Sequence, residues 1–467
     1  MKRLQWIPTL FVFLFGFTMM APAAPPNFVV IIADDMAWDD SGAYGNSGIR
    51  TPNIDRMARE GTRFTHAFLT TSSCSPSRIS ILTGRYPHST GAPELHIPLP
   101  EGQVFFTEAL RQKGYHTGSA GKWHLGPNAR DKFDATADGG GASGCENWVP
   151  MLKDRPRDQP FFFWFAAVDP HRGYRENAID HPHAPEDVRV PPYLVDSETT
   201  RRDLALYYDE ITRMDTYIGA VLDELEAQGV AEDTLVLFLS DNGRPFPRCK
   251  TTLYDDGVRT PFIALWPSSG LQGTTEPRLV SAIDIAPTLL ELAGCPVGST
   301  FQGRSFADVF TGQSRGERAF VFAEHNWHDY QAYERMARSK GFTYIRNWRP
   351  DLPGTPPADA VNSASFAELK RVRDSGEASP AQRLCFEIPR PTEELYDMES
   401  DPHSLRNLAN DPAFHSVLQR HRAALETWRQ ETADFTADDL TPDGFHREQG
   451  HRLPGVSAPH PRIERYR

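Results

Sequence analysis

Residues 27–35 read NFVVIIADD, an apolar run that ends in two adjacent carboxylates. Four of its residues are β-branched and no polar residue alternates with them, which is typical of a strand buried on both faces of a parallel sheet. Two more runs have the same character, at 161–168 (FFFWFAAV) and 234–240 (TLVLFLS), and a shorter strand is predicted over 115–120. The sequence therefore predicts a sheet whose central strands are buried and parallel.

Helical patterns lie between these strands. Residues 51–61 begin with a threonine and a proline and end in a glycine, the residue types that favour the start and the end of a helix. Residues 202–228 and 283–293 also have helical patterns. Buried strands that alternate with helices are typical of an α/β fold, so we predict a large, mainly parallel sheet flanked by helices.

Polar clusters follow the apolar strands directly. In open α/β sheets, ligands bind at the carboxyl ends of the strands, so these clusters predict a functional site at that edge. The clusters are Asp34-Asp35, Gly121-Lys122-Trp123-His124, Asp169-Pro170-His171 and Asp241-Asn242-Gly243.

The sequence changes character after about residue 319. Shorter alternating runs at 319–323 and 342–347 predict a smaller C-terminal α+β unit, and the Pro/Ala/Ser-rich stretch 350–380 predicts a long loop or insert. The residues after 433 are polar, with scattered proline and histidine, and predict an extended tail. The expected division is a signal segment over 1–23, a main domain over 24–318, an α+β subdomain over 319–432 and a tail over 433–467.

The N-terminus has the composition of a secretory signal peptide. Lys2 and Arg3 precede a mostly apolar run at 10–20, and Ala-Pro-Ala at 21–23 offers a cleavage site between small residues. The alternative is a retained anchor, but the run is short for a membrane span, so we predict no stable membrane anchor. The mature protein is expected to be periplasmic or secreted.

Composition limits the classes of ligand. The chain has 467 residues, of which 39% are hydrophobic and 24% charged, enough for a sizeable core. The net charge of −13 argues against non-specific nucleic-acid binding, which needs a basic face. Five cysteines are too few for a disulfide scaffold, and the sequence leaves open the pairing of four of them: Cys145, Cys249, Cys295 and Cys385.

The most specific string is CSPSR at residues 74–78, followed by LTGR at 82–85. Cys74 precedes a predicted helix start with a proline in the first turn, where backbone N–H groups favour an anion. Arg78 lies four residues on and returns to the same helix face. From the residues alone, a buried structural cysteine before a capped helix is the commoner outcome.

The whole string resembles the sulfatase signature C-x-P-S-R with T-G-R downstream. The resemblance implies an alkaline-phosphatase-like fold and a sulfuric ester hydrolase that acts on a sulfated saccharide. It also implies that a formylglycine-generating maturation enzyme converts Cys74 to formylglycine, whose hydrated aldehyde is the nucleophile. The same resemblance covers Lys250, the polar clusters given above and the C-terminal strings Glu394-Leu395-Tyr396-Asp397, Asp401-Pro402 and Asn407-Leu408.

Two clusters supply candidate metal ligands. Adjacent carboxylates such as Asp34 and Asp35 can cap a turn after a strand, but they are also good hard-oxygen ligands. Asp241 and Asn242 offer the same chemistry from another strand. This set suits Ca²⁺, with Mg²⁺ as the alternative, and suits Zn²⁺ poorly because no His/Cys cluster accompanies it. The resemblance adds Cys74, as formylglycine, to the ligands.

Cationic and histidine residues complete the expected site. Lysines are surface residues by default, but a sulfate site needs fixed cations, so Lys122 and Lys250 fit a pocket. By resemblance, Arg78 holds the formylglycine hydrate, His124 serves its hydroxyl, and His171 protonates the leaving atom or assists through Lys250. For four other histidines we expect a structural role or a substrate contact: His88, His96, His325 and His328.

Several strings look closest to one group, the N-sulfoglucosamine sulfohydrolases. They are Ser41-Gly42-Ala43-Tyr44, residues 72–78, Asp169-Pro170-His171-Arg172, Asp241-Asn242-Gly243 with Pro245-Phe246-Pro247, and Asp401-Pro402-His403. Two features depart from that group: Lys250 stands where those enzymes carry arginine, and residues 254–261 (YDDGVRTP) look more like general sulfatases. The leaving atom is therefore a glucosamine nitrogen or a sugar oxygen.

Two alternative functions remain open from the sequence. One is a phosphate or phosphonate ester hydrolase of the same fold, because a fold does not determine a function. The other is a secreted glycan-binding protein with an unconverted Cys74. The first alternative conflicts with the C-x-P-S-R string, and the chemical state of residue 74 separates the second from the enzyme.

Overall fold

The structure is a computed structural model that describes residues 25–313, 315–434 and 440–456. The expected signal peptide at 1–23 lies outside these described residues, and its cleavage stays a prediction. Within the described ranges, none of the helices combines the length and the apolar character that crossing a membrane requires.

A large sheet forms the centre of the molecule. Its strands, in the spatial order β4-β3-β5-β1-β6-β7-β2-β8, are parallel except β7, which runs antiparallel to both neighbours. The predicted mainly parallel α/β sheet is confirmed. The strands are β1 (Asn27–Ala33), β2 (Thr62–Phe68), β3 (His116–Gly121), β4 (Ala135–Asp138), β5 (Phe161–Ala166), β6 (Thr234–Ser240), β7 (Phe262–Leu265) and β8 (Thr274–Ser281).

The apolar run of β1 explains its central position. β1 pairs in parallel with β5 on one side and with β6 on the other. Phe28, Val30 and Ile32 pack into the core on one face of the sheet, whereas Val29 and Ile31 pack into the core on the opposite face. Because both faces are buried, every position of the strand favours an apolar residue, each contributing about 1.5–3 kcal/mol by burial.

Helices cover both faces of this sheet. α1, α5 and α6 pack on one face and α2, α4 and α8 on the other. The α-helices are α1 (Pro52–Glu60), α2 (Cys74–Thr83), α3 (Pro87–Thr90), α4 (Phe106–Gln112), α5 (Trp148–Asp154), α6 (Glu198–Ala227), α7 (Asp255–Val258), α8 (Ile285–Leu292), α9 (Asp308–Thr311), α10 (Ala358–Val361), α11 (Ala364–Ser375), α12 (Pro380–Arg383) and α13 (His415–Thr432). The three predicted helices correspond to α1, α6 and α8.

A second, smaller sheet follows. It is antiparallel in the order β12-β11-β10-β9 and packs against α13. The strands are β9 (Val321–His328), β10 (Tyr330–Arg338), β11 (Phe342–Asn347) and β12 (Glu393–Asp397). The smaller C-terminal α+β unit is therefore confirmed, although its first strand runs five residues beyond the predicted end at 323. The expected domain boundaries at 318 and 432 stay predictions.

The stretch 350–380 differs from the predicted loop, because it contains α10 and α11. The Ser363 hydroxyl accepts a hydrogen bond from the Phe366 N–H and so caps α11. Phe366, Leu369 and Val372 are buried at helical spacing, which stabilises the helix despite the Pro/Ala/Ser-rich composition.

The described part of the tail, 440–456, folds back on the small sheet. The Gln331 N–H donates to Asp443 Oδ1 at 2.7 Å, and Trp327 Nε1 donates to the Pro442 carbonyl at 2.8 Å. These two contacts hold the segment against β9 and β10. The described segment is therefore anchored there, and the extended tail over 433–467 stays a prediction.

A buried ion pair joins the small sheet to α7 of the main domain. Arg338 of β10 donates from Nε and from its terminal nitrogen to the two Asp255 oxygens of α7, both at 3.0 Å. We expect Arg338→Leu to lower the free energy of unfolding by about 3 kcal/mol, because the buried Asp255 carboxylate loses its bidentate partner and keeps only Arg259 at 3.8 Å and the Thr343 hydroxyl at 3.3 Å. Denaturant unfolding measures the change. The control is Arg371→Leu, which removes an exposed partner of Glu368 and should change stability much less; equal losses would contradict this account.

Candidate active site

Four neighbouring parallel strands end at one edge of the large sheet. In the order β3-β5-β1-β6, these strands lead into the predicted polar clusters, directly for β3, β1 and β6 and after two further residues for β5. Asp34 and Asp241 are direct neighbours there, because Ala33 and Ser240 before them are paired in register. The structure thus brings the clusters together at the carboxyl ends, as the sequence predicted.

Cys74 reaches this edge from α2. It is the first residue of the helix, Ser73 is the N-cap, and all ten helix residues are buried. The Cys74 Sγ lies 3.8 Å from Asp35 Oδ1. The first turn of α2, with its free backbone N–H groups, therefore faces the strand ends.

The four predicted oxygen ligands lie together and are fully buried: Asp34, Asp35, Asp241 and Asn242. The Asn242 Nδ2 donates to Asp35 Oδ1 at 2.6 Å, and the Asp35 N–H donates to Asp241 Oδ1 at 3.2 Å. Ligand atoms of Asp34, Asp241 and Cys74 all lie within 4.8 Å of one another.

This group fits a divalent cation. Asp34 Oδ1 and Asn242 Oδ1 are buried and have no hydrogen-bond partner among the described residues. An unpaired buried oxygen is costly, and coordination of a cation satisfies it. Carboxylate and amide oxygens are hard ligands, which suit Ca²⁺ or Mg²⁺ better than Zn²⁺.

Three cationic side chains form ion pairs with the carboxylates. The Lys122 ammonium contacts Asp34, Lys250 Nζ lies 2.7 Å from Asp35 Oδ2, and Arg78 Nε lies 2.8 Å from Asp241 Oδ2. Three positive and three negative side chains therefore balance, and the single negative charge of a sulfate ester or sulfamate offsets part of the charge that a divalent cation brings.

The pKa directions of the lysines reflect these contacts. Burial alone would lower the pKa of Lys250, but Asp35 beside it raises that pKa well above the usual value. Burial likewise opposes the charge of Lys122, and Asp34 raises the pKa of this lysine. Both ammonium groups are therefore charged at neutral pH and available to an anion.

Two histidines at the site, His124 and His96, are kept neutral. Burial, and then the charge of Lys122, lower the pKa of His124 to about 2. Its Nε2 lies 2.9 Å from His96 Nδ1, and its buried Nδ1 has no partner among the described residues. Burial and Lys122 also lower the pKa of His96. A neutral imidazole with a free nitrogen can form a hydrogen bond to a ligand.

His171 lies near Oδ2 of Asp35, whereas Cys74 lies near Oδ1 of the same carboxylate. Its Nδ1 lies 2.5 Å from the Arg172 carbonyl; since a carbonyl only accepts, Nδ1 carries the hydrogen. Nε2 lies 3.9 Å from Asp35 Oδ2 and 3.8 Å from Asp359 Oδ2. Nε2 is thus the nitrogen available to a ligand at this edge.

Asp359 is a site residue that the sequence analysis missed. It belongs to α10, inside the stretch predicted as a loop, and no motif marks it. Its Oδ1 accepts the Ala360 N–H at 2.7 Å, which leaves Oδ2 facing His171. The Ala358 N–H donates to Asp329 Oδ2 at 2.9 Å and fixes the start of the same turn. Only the tertiary fold brings this carboxylate to the site.

The remaining candidate histidines, His88, His325 and His328, lie in different surroundings. His88 is buried and contacts the Glu324 carboxylate, and it has a structural role away from the strand ends. His328 Nδ1 lies 2.8 Å from the Ser73 hydroxyl, one residue before Cys74. His325, in the same strand as His328, is buried, and its Nδ1 has no partner among the described residues.

Cys74 is not a thiolate. Burial raises the pKa of its thiol well above the usual value, and the nearby charges of Lys122 and Lys250 offset this only in part. Nucleophilic cysteines have lowered pKa values, so an unmodified Cys74 is a poor nucleophile.

All five cysteines lie within the described ranges, are buried and form no disulfide, which answers the question that the sequence left open.

Comparison with known proteins agrees with this geometry. The sulfatase family profile matches residues 26–146 and 142–295, and the profile "N-sulphoglucosamine sulphohydrolase, C-terminal" matches 248–347. Human N-sulphoglucosamine sulphohydrolase is 32% identical over 91% of this chain and 94% of its own length. An ulvan-active sulfatase of Formosa agariphila is 31% identical over 86% of this chain and 74% of its own length.

The fold has solved counterparts. One is an enzyme in complex with its substrate D-glucosamine-2-N,6-O-disulfate, with a TM-score of 0.68 and 19% identity over 89% of this chain and all of its own. At that identity the likeness concerns the fold alone. The family profile covers more than half of the chain, and two relatives exceed 30% identity over most of it. The chain belongs to the sulfatase family and is a sulfuric ester hydrolase.

Proposed function

We propose that this sulfatase releases inorganic sulfate from sulfated saccharides, with residue 74 as formylglycine. The observation that carries the proposal is the balanced charge cluster around Cys74. Arg78, Lys122 and Lys250 each neutralise one carboxylate and surround the first turn of α2. Such fixed cations stabilise the charge that develops on sulfate oxygens in the transition state.

The proposed cofactor is Ca²⁺, with Mg²⁺ as the alternative, held by Asp34, Asp35, Asp241, Asn242 and residue 74. The unpaired oxygens of Asp34 and Asn242 support this set. When bound, the ion would polarise the sulfate oxygens as a Lewis acid. The flexible coordination and all-oxygen preference of Ca²⁺ suit four side chains that come from two adjacent loops.

We assign the remaining roles from position and charge. The hydrated aldehyde of formylglycine supplies a hydroxyl nucleophile at residue 74. Arg78 orients that group, because its guanidinium reaches both Asp241 and the Lys122 carbonyl. His124, whose buried Nδ1 has no partner among the described residues, serves that hydroxyl. His171 holds a proton at Nε2 for the leaving nitrogen or oxygen, and Lys250 neutralises charge on the sulfate.

The proposed substrate is a sugar that carries an N-sulfate or an O-sulfate. The N-sulfoglucosamine-type C-terminal match and the human relative support the N-sulfated sugar. The ulvan-active relative and the presence of Lys250 support an O-sulfated sugar. Both substrate types present the same anion to the cluster and differ only in the leaving atom. The family assignment does not favour the phosphate ester hydrolase.

Two further proposals concern the maturation of Cys74 and the export of the chain. A formylglycine-generating enzyme would convert Cys74 before folding closes α2, because the thiol is buried in the folded protein. The chain would be exported to the periplasm or secreted, for which the charged, apolar and small-residue segments at the N-terminus are the support.

Sulfate release from a defined panel tests the function. The protein is co-expressed with a formylglycine-generating enzyme and assayed on N-sulfated glucosamine oligosaccharides and on O-sulfated glycosaminoglycan and algal oligosaccharides. Release from N-sulfated ends alone identifies a sulfamidase, and release from O-sulfated sugars alone identifies an O-sulfatase. If matured protein bound these sugars and released sulfate from none, it would be a glycan-binding protein and the proposal would be wrong.

A substitution at Asp359 tests the contribution of its contact with His171. We expect Asp359→Asn to lower kcat/KM about tenfold, because the neutral amide no longer attracts the protonated His171, whose Nε2 lies 3.8 Å from Asp359 Oδ2. Steady-state kinetics on the best panel substrate measures the effect. Asp374→Asn, which removes an exposed carboxylate of α11, is the control and should change kcat/KM less than about twofold. Equal effects of the two substitutions would remove Asp359 from the site.

A further inference from the structure

Asp35 has an uncommon backbone conformation. Its φ angle is 72°, in the left-handed region that residues other than glycine adopt infrequently. Such a conformation is unfavourable for a residue with a side chain, and it persists only where the surrounding structure holds it. Since Asp35 is a proposed ligand of the cation, the contacts that hold its backbone also decide where its carboxylate lies.

The end of β6 holds the first two backbone N–H groups of this turn. The Asp35 N–H donates to Asp241 Oδ1 at 3.2 Å. The Met36 N–H donates to the Ser240 hydroxyl oxygen at 2.9 Å. Ser240 is the last residue of β6 and Asp241 follows it, so both bonds come from the strand end that carries the proposed cation site.

A tyrosine of α6 holds the third N–H group. The Ala37 N–H donates to the Tyr207 hydroxyl oxygen at 3.2 Å, and this hydroxyl donates to Asp40 Oδ2 at 2.8 Å. The same hydroxyl oxygen lies 3.2 Å from the Asp35 carbonyl oxygen. Tyr207 is fully buried, so one fixed side chain contacts the turn from Asp35 to Asp40.

The loop after β6 fixes the position of this tyrosine. The ring centroid of Tyr207 lies 5.6 Å from that of Phe246, which belongs to the same loop as Lys250. Arg244 of this loop lies with its Nε 3.3 Å from Asp40 Oδ2. A buried aromatic ring in edge contact with its neighbour has little freedom to move, so the hydroxyl is a fixed partner for the turn.

We propose that the Tyr207 hydroxyl is a positioning group for the cation site. It holds residues 35–40 so that the Asp35 carboxylate stays beside Asp241 and Lys250 before the cation binds. The inference rests on the proposed function and deepens it, because it assigns part of the affinity for Ca²⁺ to a side chain outside the ligand set. Ligands that are already ordered bind more tightly, because binding does not have to order them.

Tyr207→Phe tests this role, because it removes the hydroxyl and keeps the buried ring. Calorimetry on matured protein, stripped of metal with a chelator, measures the Kd of Ca²⁺ and of Mg²⁺. We expect the Kd of Ca²⁺ to rise about tenfold, as is typical when a group that orients a metal ligand is lost. The Ca²⁺ concentration that gives half-maximal sulfate release should rise by the same factor, whereas kcat at saturating Ca²⁺ should stay within about threefold of the parent.

Tyr208→Phe is the matched control. Tyr208 is the next residue of α6 and is also fully buried, and its hydroxyl accepts a hydrogen bond from Asn46 Nδ2 at 2.8 Å, outside the turn. Its Kd for Ca²⁺ should stay within about twofold of the parent. Hydrogen exchange of the metal-free proteins gives a readout that is independent of catalysis. The peptide that contains residues 35–40 should exchange faster in Tyr207→Phe, and the exchange of β1 should not change.

Two results would overturn the inference. One is a Kd for Ca²⁺ in Tyr207→Phe that stays within about twofold of the parent. The other is an equal rise of the Kd in Tyr208→Phe, which would assign the effect to the packing of α6. Both leave the proposed function intact, because Ca²⁺ binding and sulfate release by the parent are measured alongside. A parent that binds neither ion and still releases sulfate would refute the proposed cofactor together with this inference.

Discussion

Replacing Cys74 by alanine is expected to lower the rate of sulfate release at least about 10⁴-fold, because it removes the nucleophile itself. The substitution is small: Cys74 is buried at the start of α2, and alanine is favourable in a helix. Folding should therefore be preserved, and inorganic sulfate release from the best panel substrate measures the loss.

The matched control for this experiment is Cys295→Ala. Cys295 is also a buried thiol, but it packs in the core beside Ala109, away from the strand ends. We expect full activity from this variant after co-expression with the maturation enzyme. Substantial sulfate release by the Cys74→Ala protein would show that another group attacks sulfur.

Lys250→Met is expected to lower kcat about 10²–10³-fold. Lys250 is 1% exposed, and its ammonium lies 2.7 Å from Asp35 Oδ2, inside the charge cluster. Removing one preorganised cation from a water-excluded site costs about this much in transition-state stabilisation. Methionine keeps the length and apolar character of the stem, so the substitution tests the charge. Steady-state sulfate release measures the loss.

Cation binding separates this loss from damage to the metal site. Lys250→Met removes a positive charge beside Asp35, so Ca²⁺ affinity, measured by calorimetry, should stay equal or rise while kcat falls. Lys250→Arg keeps the charge and should recover part of the activity. Lys340→Met, which removes an exposed lysine paired with Glu317, is the neutral control. A joint loss of Ca²⁺ binding and activity would mean that Lys250 only supports the fold.

The central strands were predictable because their burial on two faces leaves a continuous apolar signal. The runs of β1, β5 and β6 carry that signal. β2 and β8 do not, because they mix polar and apolar residues near one edge of the sheet. β8 is an edge strand and contains Pro277, which the middle of a sheet would exclude. Such strands depend on pairing with partners distant in sequence.

The site was predictable to the extent that its residues follow strands or form a motif. Asp34, Asp241 and Lys122 each lie directly after a strand, so their meeting follows from the sheet order. Asp359 comes from the C-terminal unit. No local pattern shows that α10 lies beside His171. That contact arises only when the two units pack together.

The central claim is that formylglycine at residue 74 makes this chain a sulfatase. The most direct test measures sulfate release across preparations in which the converted fraction of residue 74, determined by peptide mass, varies from none to nearly all. We predict that kcat per chain rises in proportion to that fraction and is zero when no residue 74 is converted. Sulfate release by protein whose Cys74 is fully an intact thiol would contradict the account.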